Sequence, residues 1–403
     1  MGTIKVVGAG FSALVTAYYL VKRGHRVRVF ESSCRVGGML KTIRTDNGLV
    51  ETAANGIRNS ARLEGLCAEV GVPLESTRRE GAARFIYRDR PRRWPLKVPE
   101  VSRLIFRAAL NTGKLRPQSF ESISRWGQRV IGSEATQYLL APALAGIYAG
   151  DPQKLSASLI FRRAPLVDEL RVTRPTPPKL RGTVAPPEGM QQLIDGLCNY
   201  LKQAGVEFSL NHPVRAEPGE PVVVCTSAGS AAECLRDISP ELSKQLASIE
   251  MLPLVTATCF YSSQPENLNG FGCLFPRGQG FRSLGVLINT CIFDRRGPAH
   301  SETWILGGAL DREVLQLNDC ALHKLIAEER RQLYGGHDEP LAIHLTRWPQ
   351  ALPHYSTELE RLLTTLPSLP PEVGLVGNYL GRIGLTAIIE RAAQVAGKFG
   401  NKI

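Results

Sequence analysis

The residues with the clearest chemical purpose form a glycine-rich turn near the amino terminus. Residues 8–13 read Gly-Ala-Gly-Phe-Ser-Ala, between an apolar run that predicts a strand and a longer run that predicts a helix. Glycines in such a turn let a phosphate approach the backbone, and the positive end of the following helix attracts its charge. Glu31 closes a second predicted strand, where a carboxylate can accept hydrogen bonds from ribose hydroxyl groups. The pattern predicts a dinucleotide site for an adenosine without a 2′-phosphate.

A second glycine pair narrows the choice of dinucleotide. Arg35, Gly37 and Gly38 follow the acid within one short loop. An arginine and bare backbone at this distance suit a second stretch of pyrophosphate and a fused ring lying against the chain. This favours FAD over the smaller, exchangeable NAD.

The elements that must position this site are spread along the whole chain of 403 residues. Strands are predicted at 3–8 and 25–31, with a helix at 11–23 between them. Continuous apolar runs at 221–228 and 373–377 predict further buried strands, as in a parallel sheet covered on both faces. We therefore expect the dinucleotide domain to be assembled from separated parts of the chain.

Composition excludes several classes of protein. An apolar content of 43% and a charged content of 21% are those of a globular protein. The longest apolar stretch, at 138–150, is shorter than a membrane-spanning helix requires. We expect a protein that is not exported, because no signal-peptide pattern opens the sequence. Nine cysteines without a Cys-x-x-Cys pair predict a reducing compartment and no structural zinc.

The formal charge of +12 is concentrated in one segment. From Arg78 to Arg116 there are twelve basic residues against three acidic ones. Such a block suits nucleic acid, anionic lipid, an anionic substrate or simply a solvated face. Within it, residues 101–110 predict a helix with Arg103 and Arg107 set apart from its apolar face. Attachment to lipid therefore competes with core packing as the role of that helix.

Taken together, these motifs and several others show a resemblance to one family. The sequence resembles the protoporphyrinogen oxidases, within the flavin amine oxidase superfamily, nearly from end to end. The segments that carry the resemblance, in the order of the family, are 8–42, 132–156, 188–197, 270–276 with 284–293, 347–355 and 374–385.

The resemblance implies an α/β fold with three parts. These are a discontinuous Rossmann-like FAD-binding domain, an α+β substrate-binding domain and a helical insertion that faces a membrane. The expected boundaries are 1–80, 186–230 and 371–403 for the FAD-binding domain, 81–100 and 231–370 for the substrate-binding domain, and 101–185 for the insertion.

The resemblance also assigns residues to the two ligands. It implies no catalytic side chain and no metal, because the flavin carries the chemistry. The last helix would direct its amino-terminal end at the pyrimidine ring of the flavin. The residues implied for FAD are Gly8, Gly10, Phe11, Ser12, Glu31, Arg35, Gly37, Gly38, Met39, Ala54, Val214, Gly377 and Ile383. Those implied for the substrate are Arg84, which would pair with a propionate, and the apolar positions Gly146, Phe271, Leu274 and Ile305.

Some segments depart from the family pattern. Residues 51–54 read Glu-Thr-Ala-Ala, so a methyl group stands where the family has a glycine near the flavin. The stretches 214–222 and 165–185 are short, and residues 386–387 read Thr-Ala where the family has Asp-Cys. These differences bear on the approach of the flavin and on the identity of the substrate.

The implied activity is FAD-dependent oxidation of protoporphyrinogen IX to protoporphyrin IX, with dioxygen as acceptor, in haem and tetrapyrrole biosynthesis. Oxidation of coproporphyrinogen III, a related amine oxidase or desaturase reaction, and a flavin-bearing paralogue without catalysis stay open as alternatives. The expected location is the cytoplasm, with peripheral attachment of the basic block to an anionic inner membrane surface. No nucleic-acid partner is expected, and a homodimer is left open.

Overall fold

Two larger sheets carry the fold. The computed structural model describes residues 3–111, 115–161, 177–266, 268–336 and 338–400. The strands, in chain order, are β1 Ile4–Val7, β2 Val27–Phe30, β3 Thr42–Thr45, β4 Gly48–Glu51, β5 Ile57–Arg58, β6 Glu75–Ser76, β7 Arg84–Arg88, β8 Arg90–Arg92, β9 Thr183–Ala185, β10 Glu207–Ser209, β11 Val222–Val224, β12 Met251–Tyr261, β13 Gly272–Leu274, β14 Gly285–Ile288, β15 His300–Gly307, β16 Ala342–Pro353 and β17 Val373–Leu375. The α-helices are α1 Phe11–Val21, α2 Ala61–Glu69, α3 Val98–Leu110, α4 Ile123–Val130, α5 Ser133–Ala135, α6 Ala141–Tyr148, α7 Ala157–Phe161, α8 Met190–Gln203, α9 Ala228–Leu235, α10 Pro240–Ala247, α11 Asn289–Ile292, α12 Asp319–Tyr334, α13 Thr357–Thr364 and α14 Leu385–Lys398.

The first sheet is five-stranded, with the order β10-β2-β1-β11-β17 and parallel pairing throughout. All three valines of β11 are buried, because helices cover both faces of the sheet. Helices α1, α8 and α14 pack on one face and contribute Leu14, Leu193 and Ile389 to its core. Helices α9, α10 and α13 pack on the other. The carboxyl ends of the strands share one edge of this sheet.

The second sheet is seven-stranded, with the order β16-β12-β15-β14-β13-β7-β8. Its pairs are antiparallel except for β13 with β7. Side chains alternate between the two faces of a strand. On one face, residues in register across six strands form a core with α12; they are Phe85, Cys273, Val286, Trp304, Ala257 and Leu345. The protein thus has a mixed α/β fold.

Helices α3 to α7 form a helical layer that reaches both sheets: Ile123 of α4 and Leu159 of α7 pack in the same core as α9, α10 and α13, whereas Gly146 of α6 lies on Leu274 of the second sheet. None of the residues of α3 is buried. The first turn of α3 is held by an ion pair, in which the buried Arg88 of β7 donates to both oxygens of the half-buried Glu100 at 2.6 and 2.9 Å. Within the described ranges, no helix combines the length and the apolar character needed to cross a bilayer.

The structure differs from the expected boundaries at two places. Strand β9, expected in the insertion at 101–185, instead pairs with β5 and β6 and buries Val184 in the core of the first sheet. Helices α9, α10 and α13 lie largely within the expected substrate domain at 231–370, yet they pack on the first sheet. Both differences arise because contacts distant in sequence, rather than local patterns, decide where such short elements pack. Residues 162–176, which include the start of the proline-rich segment at 171–187, lie outside the described residues.

We predict that the attachment of α3 weakens in acid. Hydrogen bonds from Arg88 lower the pKa of Glu100 from 4.5 to about 2. Because the folded carboxyl has the lower pKa, its stabilising effect is complete well above pH 4.5 and is lost as the pH falls toward 2. In urea unfolding at neutral pH, Glu100→Gln should lower the free energy of unfolding by about 2 kcal/mol, and the difference should shrink near pH 3.

Glu134→Gln is the matched control, because Glu134 pairs with Arg103 at the exposed surface of the same helix. It should lower stability by less than about 1 kcal/mol. Equal effects of the two substitutions, or an Arg88–Glu100 effect that does not change with pH, would contradict the prediction.

Candidate active site

The glycine turn after β1 can be built only from glycine at its first position. Gly8 has φ +99°, and its N–H donates to the carbonyl of Phe30 at 2.7 Å. A Cβ on Gly8 would lie 3.0 Å from the carbonyl oxygen of Cys225. The turn therefore sits tightly between the ends of β2 and β11, at the carboxyl edge of the parallel sheet.

The loop that carries Arg35 packs directly on this turn. The N–H of Gly37 donates to the carbonyl of Ala9 at 2.8 Å. A Cβ on Gly38, where φ is +58°, would lie 3.1 Å from the Cα of Gly10. The guanidinium of Arg35 donates to the carbonyls of Val36 and Gly38 and so braces its own loop. The structure thus brings the two predicted glycine motifs into contact.

Glu31 lies at the end of β2 and touches the same turn. One carboxylate oxygen accepts the N–H of Ala9 at 2.7 Å, and the other accepts the N–H of Ser33 at 2.9 Å. A carboxylate oxygen can accept more than one hydrogen bond. The side chain therefore fixes the turn and keeps acceptor capacity for the hydroxyl groups of a ribose.

Two helices begin at this edge without a side-chain cap. Helix α1 starts after Gly10 and α14 after Gly384, and neither has a side-chain hydrogen bond at its N-cap or an acidic residue in its first turn. By contrast, serine or asparagine side chains cap α2, α4, α9, α12 and α13. The free N–H groups of Phe11 and Ser12 suit a phosphate, and the start of α14 suits an anionic ring. The glycine turn, the loop that packs on it and the starts of these two helices therefore fit a dinucleotide.

The other residues expected at the cofactor surround the same edge. A hydroxyl hydrogen bond from Thr52 to the carbonyl of Met39, at 2.8 Å, ties the glycine loop to the half-buried Ala54 segment. Gly377 follows β17 directly, and Ile383 packs on the second face of the sheet just before α14.

Val214 lies in the connection between β10 and β11. Its side chain packs against the second core. Within the residues that the structure describes, its backbone N–H and carbonyl make no hydrogen bond, so both are available to a ligand.

Residues 51–54 are clamped between the two sheets. The buried carboxylate of Glu51 accepts hydrogen bonds from the N–H of Met190 at 2.9 Å and the guanidinium of Arg296 at 3.2 Å. Burial raises the pKa of Glu51, while these two partners act in the opposite direction. The indole N–H of Trp348 donates to the carbonyl of Thr52 at 2.8 Å. The segment is thereby held at a fixed place beside the second sheet.

Three of the residues expected at the substrate meet on the second sheet. Leu274, Gly285 and Ile305 are in register on β13, β14 and β15, so their positions share one face. A Cβ on Gly146 of α6 would lie 2.6 Å from the Cδ2 of Leu274, so the helix backbone lies directly on this side chain. Leu274 and Ile305 are only half-buried, so part of each side chain is accessible to a ligand.

The other two residues expected at the substrate also form a pair. The guanidinium carbon of Arg84 lies 4.6 Å from the centre of the Phe271 ring. Phe271 packs against the core of the parallel sheet, and Arg84 is exposed. Arg84 and Phe271 therefore lie where the two sheets meet.

Arg88, one of the twelve basic residues between Arg78 and Arg116, is not available to an outside partner. Its side chain is buried, lies 3.8 Å from the centre of the Tyr138 ring and is neutralised by Glu100. Sequence analysis also missed the contacts of Trp348 and Arg296 with residues 51–54. No local signal marks them, since their partners lie more than two hundred residues away.

The fold, together with the residues at the carboxyl edge of the parallel sheet, defines a flavin-dependent oxidoreductase. Residues 11–216 match the sequence model of the family described as flavin containing amine oxidoreductase. The chain belongs to this family. The prediction of a flavoprotein related to the porphyrinogen oxidases is confirmed, since the curated relatives carry that activity in their names.

The relatives match over almost their whole length. Chloroplastic protoporphyrinogen oxidase of Nicotiana tabacum is 24% identical, over 97% of this chain and 84% of the relative. Coproporphyrinogen III oxidase of Mycobacterium bovis is 23% identical, over 96% of this chain and 95% of the relative. A crystal structure of a protein from Exiguobacterium sp. 255-15 has a TM-score of 0.80 at 18% identity, with 99% of this chain and 98% of that chain covered.

We predict that Gly38→Ala weakens flavin retention. The added methyl group would press on Gly10, and moving either loop costs about 1–2 kcal/mol, which corresponds to roughly tenfold faster loss of flavin on dialysis. The ratio of flavin to protein absorbance measures this. Gly71→Ala is the control, because Gly71 also has a positive φ, +71°, but has no atom within 4 Å of an added Cβ. Equal flavin loss from both variants would contradict the prediction.

Proposed function

We propose that the protein is an FAD-dependent oxidase of protoporphyrinogen IX, with dioxygen as acceptor, in tetrapyrrole biosynthesis. The observation that carries the proposal is the half-buried apolar face of Leu274 and Ile305, which opens beside the clamped segment 51–54 and has Arg84 nearby. A flat apolar macrocycle with carboxylate substituents matches such a wall, because burial of its rings is favourable and a guanidinium pairs with a carboxylate.

The cofactor assigned to this edge is FAD. Its pyrophosphate would lie on Gly8, Gly10, Phe11 and Ser12, while Glu31 would accept the hydroxyl groups of the adenosine ribose. The loop of Arg35, Gly37, Gly38 and Met39, together with Ala54, would line the remainder of the cofactor. Val214 would present its free backbone groups to the adenine, and Gly377 and Ile383 would place the start of α14 at the ring.

The chain's own residues orient the substrate and keep water from it. When bound, FAD supplies the two-electron oxidation, and dioxygen regenerates it. The residues on the wall are aliphatic or carry hydroxyl groups, such as Thr256 in register with Ile305. They suit a substrate that gives up hydrogen to the cofactor without an added acid or base. Phe271 and Leu274 would flank the macrocycle, and the bare backbone of Gly146 would make room for it.

The alternative functions differ in the ligand that the apolar face of Leu274 and Ile305 would accept. Coproporphyrinogen III has the same macrocycle with more carboxylates, and one relative carries its oxidation in its name. A small amine would leave the apolar wall largely unfilled. A paralogue without catalysis would bind flavin and porphyrin without turning porphyrinogen over.

Turnover decides among these functions. Purified flavin-loaded protein should convert protoporphyrinogen IX to its fluorescent porphyrin and release hydrogen peroxide. Coproporphyrinogen III and simple amines should be oxidised at least tenfold more slowly. Absence of porphyrin formation from a protein that retains its flavin would refute the proposed activity, and faster turnover of coproporphyrinogen III would assign it to that substrate.

We also propose that α3 attaches the protein to an anionic membrane surface. Val98, Ile105, Phe106 and Leu110 are 63–81% exposed on this helix, which has no buried residue. Its acid, Glu100, is turned toward Arg88, whereas Lys97, Arg103 and Arg107 are exposed. Apolar side chains that insert between headgroups, bordered by basic residues, match an anionic lipid surface. The cytoplasmic location and a homodimer stay predictions.

Sedimentation with vesicles tests this attachment. Replacing Ile105 and Phe106 together by serine should reduce binding to phosphatidylglycerol vesicles by about tenfold or more, because burial of both side chains is lost. High salt should weaken binding of the unchanged protein. Leu341→Ser, at an exposed leucine outside the helical layer, is the control. Binding that persists in the double variant, or that is equal for neutral vesicles, would contradict the role.

A further inference from the structure

Arg84 and Arg92 share one face of the second sheet, although a tight turn separates their strands. Arg92 of β8 is in register with Ile86 of β7. Directly paired residues of an antiparallel ladder point to the same side, and so do residues two apart along a strand. The sheet therefore places Arg84, Ile86 and Arg92 together.

This face also carries Leu274 and Ile305, the apolar wall proposed to bind the substrate. Ile86 is in register with Leu274, which is in register with Gly285 and then with Ile305. The apolar row thus runs from Ile86 to Ile305, and the two arginines stand at its β7–β8 end. The register across these strands fixes this arrangement independently of any single contact.

The charges of these two arginines are not balanced by carboxylates. Among the described residues, neither Arg84 nor Arg92 takes part in a salt bridge, whereas Arg88 beside them is paired with Glu100. Arg84 lies against Phe271, and the Nε of Arg92 donates to the carbonyl of Arg88 at 3.0 Å. The terminal nitrogens of both guanidinium groups are left to bind an anion.

The opposite end of the row carries no such charge. Beyond Ile305 the row continues to Thr256 of β12 and Thr346 of β16. The hydroxyl of Thr256 donates to the carbonyl of Thr52, so Thr256 is one of the residues that hold segment 51–54 in place. Positive charge therefore lies at one end of the wall, and hydroxyl groups lie at the other.

The resemblance already implies a propionate partner for Arg84; we propose that Arg92 adds a second arm, so that the two arginines hold two neighbouring carboxylates of the substrate, and that Arg92 makes this protein selective. The site favours a tetrapyrrole with both carboxylates on one edge, as in protoporphyrinogen IX. It disfavours one with carboxylates on all four pyrroles, as in coproporphyrinogen III, because two of them would lie against the uncharged end. Each guanidinium can hold a carboxylate with two parallel hydrogen bonds. The inference rests on the proposed function.

Binding of the stable porphyrins tests the site without turnover. Flavin-loaded protein is titrated with protoporphyrin IX, its dimethyl ester and coproporphyrin III, with fluorescence quenching as the readout. Protoporphyrin IX, the diacid, should bind more tightly than its dimethyl ester by about tenfold for each of the two arginines. A hydrogen bond to a charged group contributes about 1.5–3 kcal/mol. Protoporphyrin IX should also bind more tightly than coproporphyrin III.

Single substitutions distinguish carboxylate binding by Arg84 and Arg92 from a general effect of positive charge. Arg84→Gln and Arg92→Gln should each reduce the preference for the diacid about tenfold, and Arg92→Lys should restore part of it. Arg93→Gln removes the same charge beside Phe85, on the opposite face, and should leave the preference unchanged. In turnover, Arg92→Gln should raise KM for protoporphyrinogen IX with little change in kcat.

The outcomes distinguish the site from the proposed function. If the unchanged protein oxidises protoporphyrinogen IX but binds diacid and ester equally, the two-armed site is wrong and the function stands. The same conclusion follows if Arg93→Gln has the effect expected of Arg92→Gln. If the protein binds no porphyrin, both proposals fall.

Discussion

The structure depends on one buried charge, the carboxylate of Glu51. Its partners come from three parts of the molecule: the start of α8 through the N–H of Met190, β3 through Thr42, and the connection between α11 and β15 through Arg296. A buried carboxylate without partners is strongly unfavourable, so all three must be in place together. Because residues 52–54 follow directly, the same requirement sets the position of the backbone that contacts both the glycine loop through Met39 and the second sheet through Thr256. Ala53, which stands where the family has a glycine, lies in this fixed segment.

The parts of the fold that the sequence predicted are those with local signals. The first strand, the glycine turn, helix α1 and Glu31 follow from spacing alone, and the structure has them in contact through Ala9 and Gly10. The short strands β5, β6 and β9 have no periodic pattern, so their pairing could not be predicted. For the same reason the boundary at 185 was placed one strand too late. The register that aligns Arg92 with Ile86 likewise depends on pairing between strands.

The basic segment illustrates why charge counts alone do not give function. Its arginines look equivalent in the sequence, but the fold divides them. Arg88 is paired with Glu100, Arg84 and Arg92 lie on the same face of the second sheet as Ile86, and Arg103 and Arg107 lie on the exposed helix α3. Burial and pairing, rather than position along the chain, decide which of these charges can meet an outside partner.

The two faces of the second sheet have different tasks. One face is a hydrocarbon core built by Phe85, Cys273, Val286 and Trp304 with α12, while the other carries the half-buried row from Ile86 to Ile305. On β7, Phe85 and Tyr87 thus belong to the core, whereas Arg84 and Ile86 lie on the other face. Substitutions on the half-buried row would therefore change the surface presented to a ligand while the hydrocarbon core on the other face stays intact.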